Sequence, residues 1–189
     1  MAKGAYVGVL TDVPIYQPET KTVSITASNI STYFTVTNGT YYFQGSGSTF
    51  TTNNGGVASS TASTKLTAKV DMSISFTYSY SSEANYDKFT LIVAGTTVAN
   101  ALSGATTSKT YSGSIKAGDV INFSYVKDGS QNSNNDKCTF SEMSITYTGK
   151  TQIGSESKEV ARKIKKGYVG VSNFIKRDLP SGYTQVEYI

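Results

Sequence analysis

The 189-residue sequence contains no histidine and a single cysteine, and charged residues make up only 16% of it. The absence of histidine removes the commonest general base and the commonest transition-metal ligand. With Cys138 alone the chain cannot form an intramolecular disulfide, so its stability must come from a sheet core, helped by oligomerisation or a metal. Without a histidine partner, Cys138 is predicted to be a small buried hydrophobe rather than a nucleophile.

Long apolar runs are also missing. No stretch of about 18 apolar residues is present to span a membrane, and the first residues lack the apolar run of a signal peptide. A protein of this kind that works outside a cell would leave it by another route, such as lysis. We therefore predict no membrane insertion.

The formal net charge of +4 comes from a local excess of basic residues near the C-terminus. These residues are Lys158, Arg162, Lys163, Lys165, Lys166, Lys176 and Arg177. The stretch lacks the interleaved aromatic residues of a single-strand binder. A solvated strand face or linker is the better interpretation, and no nucleic-acid partner is predicted.

The composition favours β-structure, because Ser, Thr, Asn and Gly accompany 14 Tyr and 8 Phe. Short runs with β character recur at spacings of about 8–12 residues, with no amphipathic helix between them. In one of these runs Met72, Ile74, Phe76 and Tyr78 share a face. In the last run, Phe140 shares one predicted face with Glu142, Ser144 and Thr146. The other face carries Met143, Ile145 and Tyr147. This pattern predicts an all-β fold, a jelly-roll β-sandwich.

Turn signals separate the predicted strands. Asn38-Gly39 lies between two short β runs and predicts a two-residue hairpin. Ala94-Gly95 predicts a reversal, and Lys116-Ala117-Gly118-Asp119 predicts a tight turn. Residues 45–56 are read as a polar loop with one strand around Phe50.

A short phrase occurs near both ends of the chain: Lys-Gly-Ala-Tyr-Val-Gly-Val at Lys3–Val9 and Lys-Gly-Tyr-Val-Gly-Val at Lys166–Val171. Such a repeat indicates a small structural unit that is used more than once. We therefore predict a sandwich flanked by short β-strand repeat units. The expected domains are an N-terminal assembly arm at 1–18, the sandwich at 19–150, a linker with the second repeat at 151–178, and the start of a further domain at 179–189. We expect the natural protein to continue beyond Ile189.

Two loops concentrate side-chain oxygen atoms. The first contains Glu83, Asn85, Tyr86 and Asp87, and the second places oxygen at the alternate positions Asp128, Ser130, Asn132, Asn134 and Asp136. Calcium takes six to eight hard oxygen ligands, which such loops can supply. The candidate calcium ligands are Glu83, Asp87, Asp128, Ser130, Asn132 and Asp136. A polar hairpin loop without a metal is the alternative.

Enzymatic chemistry is not predicted. The loop carboxylates could be paired for glycoside hydrolysis, but carboxylates with polar neighbours are more often solvated or metal-bound. No Gly-x-Ser-x-Gly elbow is present, and no histidine could activate a serine. Most tyrosines are expected in the core, although Tyr80 and Tyr86, beside the acidic loops, could stack on a sugar ring. The candidate ligand-binding residues are Tyr80, Glu83, Asn85, Tyr86 and Asp87.

Two resemblances add to these predictions. The segments Phe76–Phe89, Phe123–Ser130 and Asp136–Cys138 resemble a jelly-roll module of bacterial surface and phage proteins, similar to the CUB, MAM and cleaved-adhesin groups. In such modules the Ser-Ser-Glu-x-Asn-Tyr-Asp and Lys-Asp-x-Ser segments lie together at one end, where some members hold calcium or contact glycans. This chain departs from that pattern after Asp136, where it has Phe140-Ser141-Glu142.

The repeat around Lys166–Val171 resembles tail or fibre proteins of phages and prophages of Gram-positive bacteria. In those proteins a segment like Leu179–Ile189 opens a concanavalin-like lectin domain. The resemblance implies a virion structural protein, a fibre or decoration component, on the phage surface. Its partners would be other virion proteins and its own copies, joined through the terminal strands, and host-surface glycan. The alternative is an extracellular bacterial adhesin module that binds glycan, with calcium as its cofactor.

Overall fold

A computed structural model describes residues 6–129 and 136–163 of the chain. The described part contains eleven strands and one single-turn helix, α1 (Ile30–Tyr33). The strands are β1 (Tyr6–Ser24), β2 (Phe34–Asn38), β3 (Phe43–Ser46), β4 (Thr49–Thr52), β5 (Thr61–Ala68), β6 (Met72–Ser81), β7 (Lys88–Val93), β8 (Thr96–Leu102), β9 (Lys109–Ile115), β10 (Val120–Val126) and β11 (Lys137–Lys163). The predicted all-β class is confirmed.

The strands form two antiparallel sheets with the order of a jelly roll. One sheet contains β4-β11-β6-β9 and the other β5-β10-β7-β8, so that successive strands from β4 to β11 alternate between the sheets except for β7 and β8, which form a hairpin within one sheet. This order is that of two Greek keys wound together. Strand β3 extends the first sheet beyond β4, β2 extends the second beyond β5, and β1 pairs with β11.

The core lies between the sheets and is built from residues two apart in each strand. In β6 the predicted inward face is confirmed, because Met72, Ile74, Phe76 and Tyr78 are all buried. Aromatic rings meet at the centre, where Phe140 stacks on Phe123 at 4.2 Å and on Phe50 at 4.5 Å between ring centroids. Each such side chain contributes about 1.5–3 kcal/mol through removal of its apolar surface from water.

The hairpin predicted at Asn38-Gly39 is wrong. Strand β2 pairs with β5 in one sheet, whereas β3 pairs with β4 in the other. The Thr64 hydroxyl donates to Asn38 Oδ1 at 2.9 Å, and the Gly39 N–H donates to the Ser63 carbonyl at 3.0 Å. Both residues are therefore held along β5, and the chain crosses to the other sheet instead of reversing. Within 45–56, the strand predicted around Phe50 is confirmed as β4, and it forms a hairpin with β3, the end of which also falls in this segment.

In the last run, Met143 and Ile145 share the buried face as predicted, but the predicted face of Phe140 is wrong. Phe140, Met143 and Ile145 are all buried, although strict alternation would place Phe140 opposite the other two. The register against β6 shifts between Ser141 and Ser144, and Glu142 has a left-handed φ of 53°. A β-bulge thus inserts an extra residue and returns the apolar side chains to the core.

The two other predicted turns are confirmed. Ala94 and Gly95 both have positive φ and reverse the chain between β7 and β8. In the turn before β10, the Asp119 N–H donates to the Lys116 carbonyl at 3.0 Å, and the Lys116 N–H donates back to Asp119 Oδ2 at 2.8 Å. Gly118 takes the left-handed φ of 92° that this turn needs.

The chain divides into two compact units. The jelly roll belongs to the unit Tyr16–Gln152, for which the predicted limits were 19 and 150. The other unit is formed by the two ends of the chain, and its described residues, 6–15 and 153–163, belong to β1 and β11. The second repeat phrase, the predicted domain start at 179–189 and the first residues of the first repeat lie outside the described residues.

Candidate functional site

Charged residues continue three inward-facing rows of the sandwich. Tyr125 is the last inward apolar residue of β10, and Lys127 follows it two positions on. Asp87 stands two positions before Phe89 of β7, and Asp136 two positions before Cys138 of β11. Because strand side chains alternate between faces, each charged residue keeps the inward direction of its row. All three are buried.

Lys127 joins the two aspartates. Its Nζ donates to Asp136 Oδ2 at 2.8 Å and lies 3.7 Å from Asp87 Oδ2. The side chains of Lys127 and Asp87 are 0% exposed and that of Asp136 is 1% exposed. One buried ammonium therefore faces two buried carboxylates, and their mutual attraction offsets the cost of removing them from water.

Asp87 is held by two further donors. The Tyr125 hydroxyl donates to its Oδ2 at 3.0 Å, and the Asp128 backbone N–H donates to its Oδ1 at 2.9 Å. Burial raises the pKa of the Tyr125 phenol far above its usual value, and the negative charge of Asp87 raises it further. Tyr125 is therefore a neutral hydrogen-bond donor that fixes the orientation of the carboxylate.

Cys138 lies beside this cluster. It is fully buried, as predicted, and its backbone N–H donates to Thr52 Oγ1 at 3.1 Å. Burial, and secondarily the charge of Asp87, raises the pKa of the Cys138 thiol well above its usual value. The thiol is therefore neutral and poorly nucleophilic in the folded protein.

Three of the six predicted calcium ligands come together. Glu83, Asp87 and Asp136 each offer a carboxylate oxygen within 4.8 Å of the others. Glu83 Oε2 is buried without a hydrogen-bond partner among the described residues. Asp128 touches Asp87 through its backbone N–H, whereas Ser130 and Asn132 lie outside the described residues.

The arrangement suits an ammonium better than a calcium ion. Lys127 already supplies positive charge to two of the three carboxylates, at the point where a metal would bind. Calcium requires about six to eight oxygen ligands, so Lys127 would have to leave before the ion could enter. Calcium binding stays a prediction from the sequence.

The predicted sugar-binding residues are divided between core and surface. Tyr80 is only 8% exposed and stacks on Phe89 at 5.7 Å, which places its ring in the core. Tyr86 is 53% exposed. Asn85 is exposed, has a left-handed φ of 73°, and donates its backbone N–H to Ser103 Oγ at 2.9 Å. Of the two tyrosines, Tyr86 alone offers a ring to solvent.

Sequence reasoning missed Lys127 and Tyr125 as members of this cluster. A lysine next to an Asn- and Ser-rich loop looks solvated, and Tyr125 looks like an ordinary core residue. The sequence does indicate that Lys127 faces inward. An unbroken two-residue period runs through Ile121, Phe123, Tyr125 and Lys127, so the lysine continues the row of core residues. The same period links Asp87 to Phe89 and Asp136 to Cys138.

Comparison with known proteins gives a fold relation. No protein-family model and no curated protein matches the chain. Among solved structures, the chain is similar to the secreted serine protease VesC from Vibrio cholerae, with a TM-score of 0.51 and 12% identity over 65% of this chain. The match covers 28% of the VesC chain. At this identity the similarity concerns the fold alone. Within the described residues, no helix is long and apolar enough to cross a membrane.

Proposed function

We propose that this chain is a structural component of a bacteriophage virion, in a fibre or a decoration of the particle surface. The jelly roll is displayed outward, and the terminal strands β1 and β11 join it to other copies of the chain or to other virion proteins. The observation that carries the proposal is the pairing of these two strands, each of which is unusually long. Strand β1 has 19 residues and β11 has 27, against about 3–10 in ordinary strands.

Pairing is visible where the two strands enter the jelly-roll unit. Thr22 Oγ1 lies 2.9 Å from Thr146 Oγ1, and the Thr151 hydroxyl donates to the Glu19 carboxylate. The backbone N–H of Ile25, just past the end of β1, donates to the Met143 carbonyl at 2.7 Å. Both connections of the unit therefore leave side by side. This is how a displayed domain is attached without disturbing its core.

Exposed apolar side chains on these strands favour association. Val13, Ile15 and Tyr16 on β1 are 37%, 42% and 53% exposed, and Ile153 on β11 is 62% exposed. An isolated two-stranded ribbon is marginally stable in water, and an exposed strand edge gains by pairing with another sheet. Assembly with neighbouring chains would cover the apolar side chains and satisfy the strand edges.

Light scattering on the full chain tests the proposal through a double substitution. Ile15→Thr with Ile153→Thr keeps β-branched residues but removes exposed apolar surface, so the measured mass should fall towards that of one chain. Val70→Thr is the matched control, because Val70 is 37% exposed but lies between β5 and β6. Far-ultraviolet circular dichroism should be unchanged in both variants. Association that survives the double substitution would contradict the role of these strands.

Exposed Tyr86 supports glycan binding as the second candidate function. The ring lies in the same short segment as Glu83 and Asp87, and an exposed aromatic face can stack on a sugar. The chain would then act as an extracellular adhesin module. Binding to Gram-positive cell-wall polysaccharide should be lost in Tyr86→Ala. Unchanged binding in the variant would remove Tyr86 from the site.

A further inference from the structure

The contact between Lys127 and Asp136 places an amine next to a carboxyl carbon. Lys127 Nζ lies 2.8 Å from Asp136 Oδ2. This oxygen is bonded directly to Cγ, the carboxyl carbon. Both side chains are excluded from solvent, at 0% and 1% exposure. A second buried carboxylate, Asp87, lies 3.7 Å from the same nitrogen. A nucleophile, an acyl carbon and a proton acceptor are thus held together where no water competes.

We propose that Lys127 and Asp136 condense to form an intramolecular amide bond, with Asp87 transferring the protons. The reaction is a self-modification that occurs once in each chain. It needs no cofactor, oxidant or other reactant, and it is independent of the virion role proposed above.

The step balances as a dehydration. Lys127 first transfers one proton to Asp136 Oδ2 across their 2.8 Å contact, which makes that oxygen the hydroxyl that will depart, and then attacks Asp136 Cγ as a neutral amine, forming the Nζ–Cγ bond and a tetrahedral intermediate. Asp87 accepts a proton from the nitrogen and delivers one to the departing oxygen of Asp136. The Cγ–Oδ bond then breaks and one water molecule leaves. An ammonium and a carboxylate are converted to an amide and water, with no change of oxidation state.

The position of each group favours this reaction over hydrolysis. Holding amine and carboxyl carbon together replaces an encounter in solution by an intramolecular step. Forming the amide also removes two opposite charges from an environment where charge is costly. Asp87 is aligned for proton transfer because Tyr125 and the Asp128 N–H each bind one of its oxygens.

The bond would link the two sheets covalently. Lys127 directly follows β10 in one sheet, and Asp136 directly precedes β11 in the other. The bond would lie at the ends of β10 and β11, where the buried charged residues are. A chain without disulfides would thereby gain a cross-link that reducing agents do not break.

Intact mass spectrometry of the full 189-residue chain is the direct test. The denatured protein should be lighter than its sequence mass by one water molecule. After denaturation, trypsin should fail to cleave behind Lys127, giving the peptide 117–137 without one water. A mass equal to the sequence mass, or normal cleavage at Lys127, would overturn the proposal, and neither result depends on a variant that folds.

One competing dehydration needs a control. Asp128-Gly129 can form a succinimide, which also loses one water. A succinimide reopens in mild alkali and leaves Lys127 cleavable, whereas an amide at Lys127 survives alkali and blocks cleavage. Asp128→Ser should therefore retain the mass deficit. Loss of the deficit in this variant would assign it to the succinimide and refute the amide.

Substitutions then assign the roles. Lys127→Met and Asp136→Ala should show the full sequence mass, since each removes one partner of the bond. Asp87→Asn keeps both partners but cannot accept the proton, so the cross-linked fraction after expression should fall at least about tenfold. A fully cross-linked Asp87→Asn protein would show that Asp87 does not transfer the protons.

Discussion

The interior of the sandwich and the terminal strands use apolar residues in opposite ways. In the interior, Phe123 and Phe140 are fully buried and stacked on each other. On β1 and β11, Ile15 and Ile153 are 42% and 62% exposed. The buried residues hold one chain together, whereas the exposed residues gain stability only when another surface covers them. Fold stability and assembly should therefore respond to different substitutions.

Phe140→Ala should reduce the stability of the interior more than any other substitution considered. The ring stacks on both Phe123 and Phe50, and its removal leaves a cavity that the flanking sheets cannot fill. We expect a loss of about 4 kcal/mol in the free energy of unfolding, measured by denaturant titration. Tyr86→Ala, at an aromatic residue that is 53% exposed, is the control and should stay within about 0.5 kcal/mol. Equal losses in the two variants would contradict the assigned core.

Lys127→Met should have the next largest effect. The substitution preserves much of the side-chain volume but leaves two buried carboxylates without their cation. We expect the free energy of unfolding to fall by about 3 kcal/mol, and loss of the proposed amide would add to this deficit. Lys137→Met, at an exposed lysine beside Asp136, should change stability little. A stable Lys127→Met protein would show that the charge cluster contributes nothing to the fold.

Alkaline pH should lower the stability of the fold by less than either substitution. Folding raises the pKa of Cys138 above 9.0 and that of Tyr125 above 10.0, so the unfolded chain releases these protons first. Stability is therefore complete at neutral pH and declines as the pH rises through the unfolded values. Thermal melting should show this decline, and Tyr125→Phe should flatten the part above about pH 10. A melting temperature independent of pH up to about 11 would contradict the burial of both groups.

Much of the fold follows from local patterns in the sequence. Met72, Ile74, Phe76 and Tyr78 alternate without interruption, and the strand forms as the pattern predicts. The hairpin at Asn38-Gly39 could not be excluded locally, because its absence results from hydrogen bonds to β5, more than twenty residues further on. The bulge at Glu142 could not be predicted locally either. It depends on packing against the other strands, which places Phe140 and Met143 on the same inward face.

The candidate site was predictable only in part. The sequence identified Glu83, Asp87 and Asp136, which the fold brings within 4.8 Å of one another. It did not identify Lys127 as their partner, because a lysine beside a polar loop is ordinarily solvated. Only the two-residue period through Tyr125 indicates that the side chain points inward, and the distance to Asp136 requires both sheets to be in place.

The solution mass of the full chain tests the central claim, that the terminal strands carry assembly. Light scattering across a concentration series should give a mass that is a multiple of the 20.2 kDa chain and decreases on dilution. A mass of 20.2 kDa at every concentration would contradict self-assembly through β1 and β11.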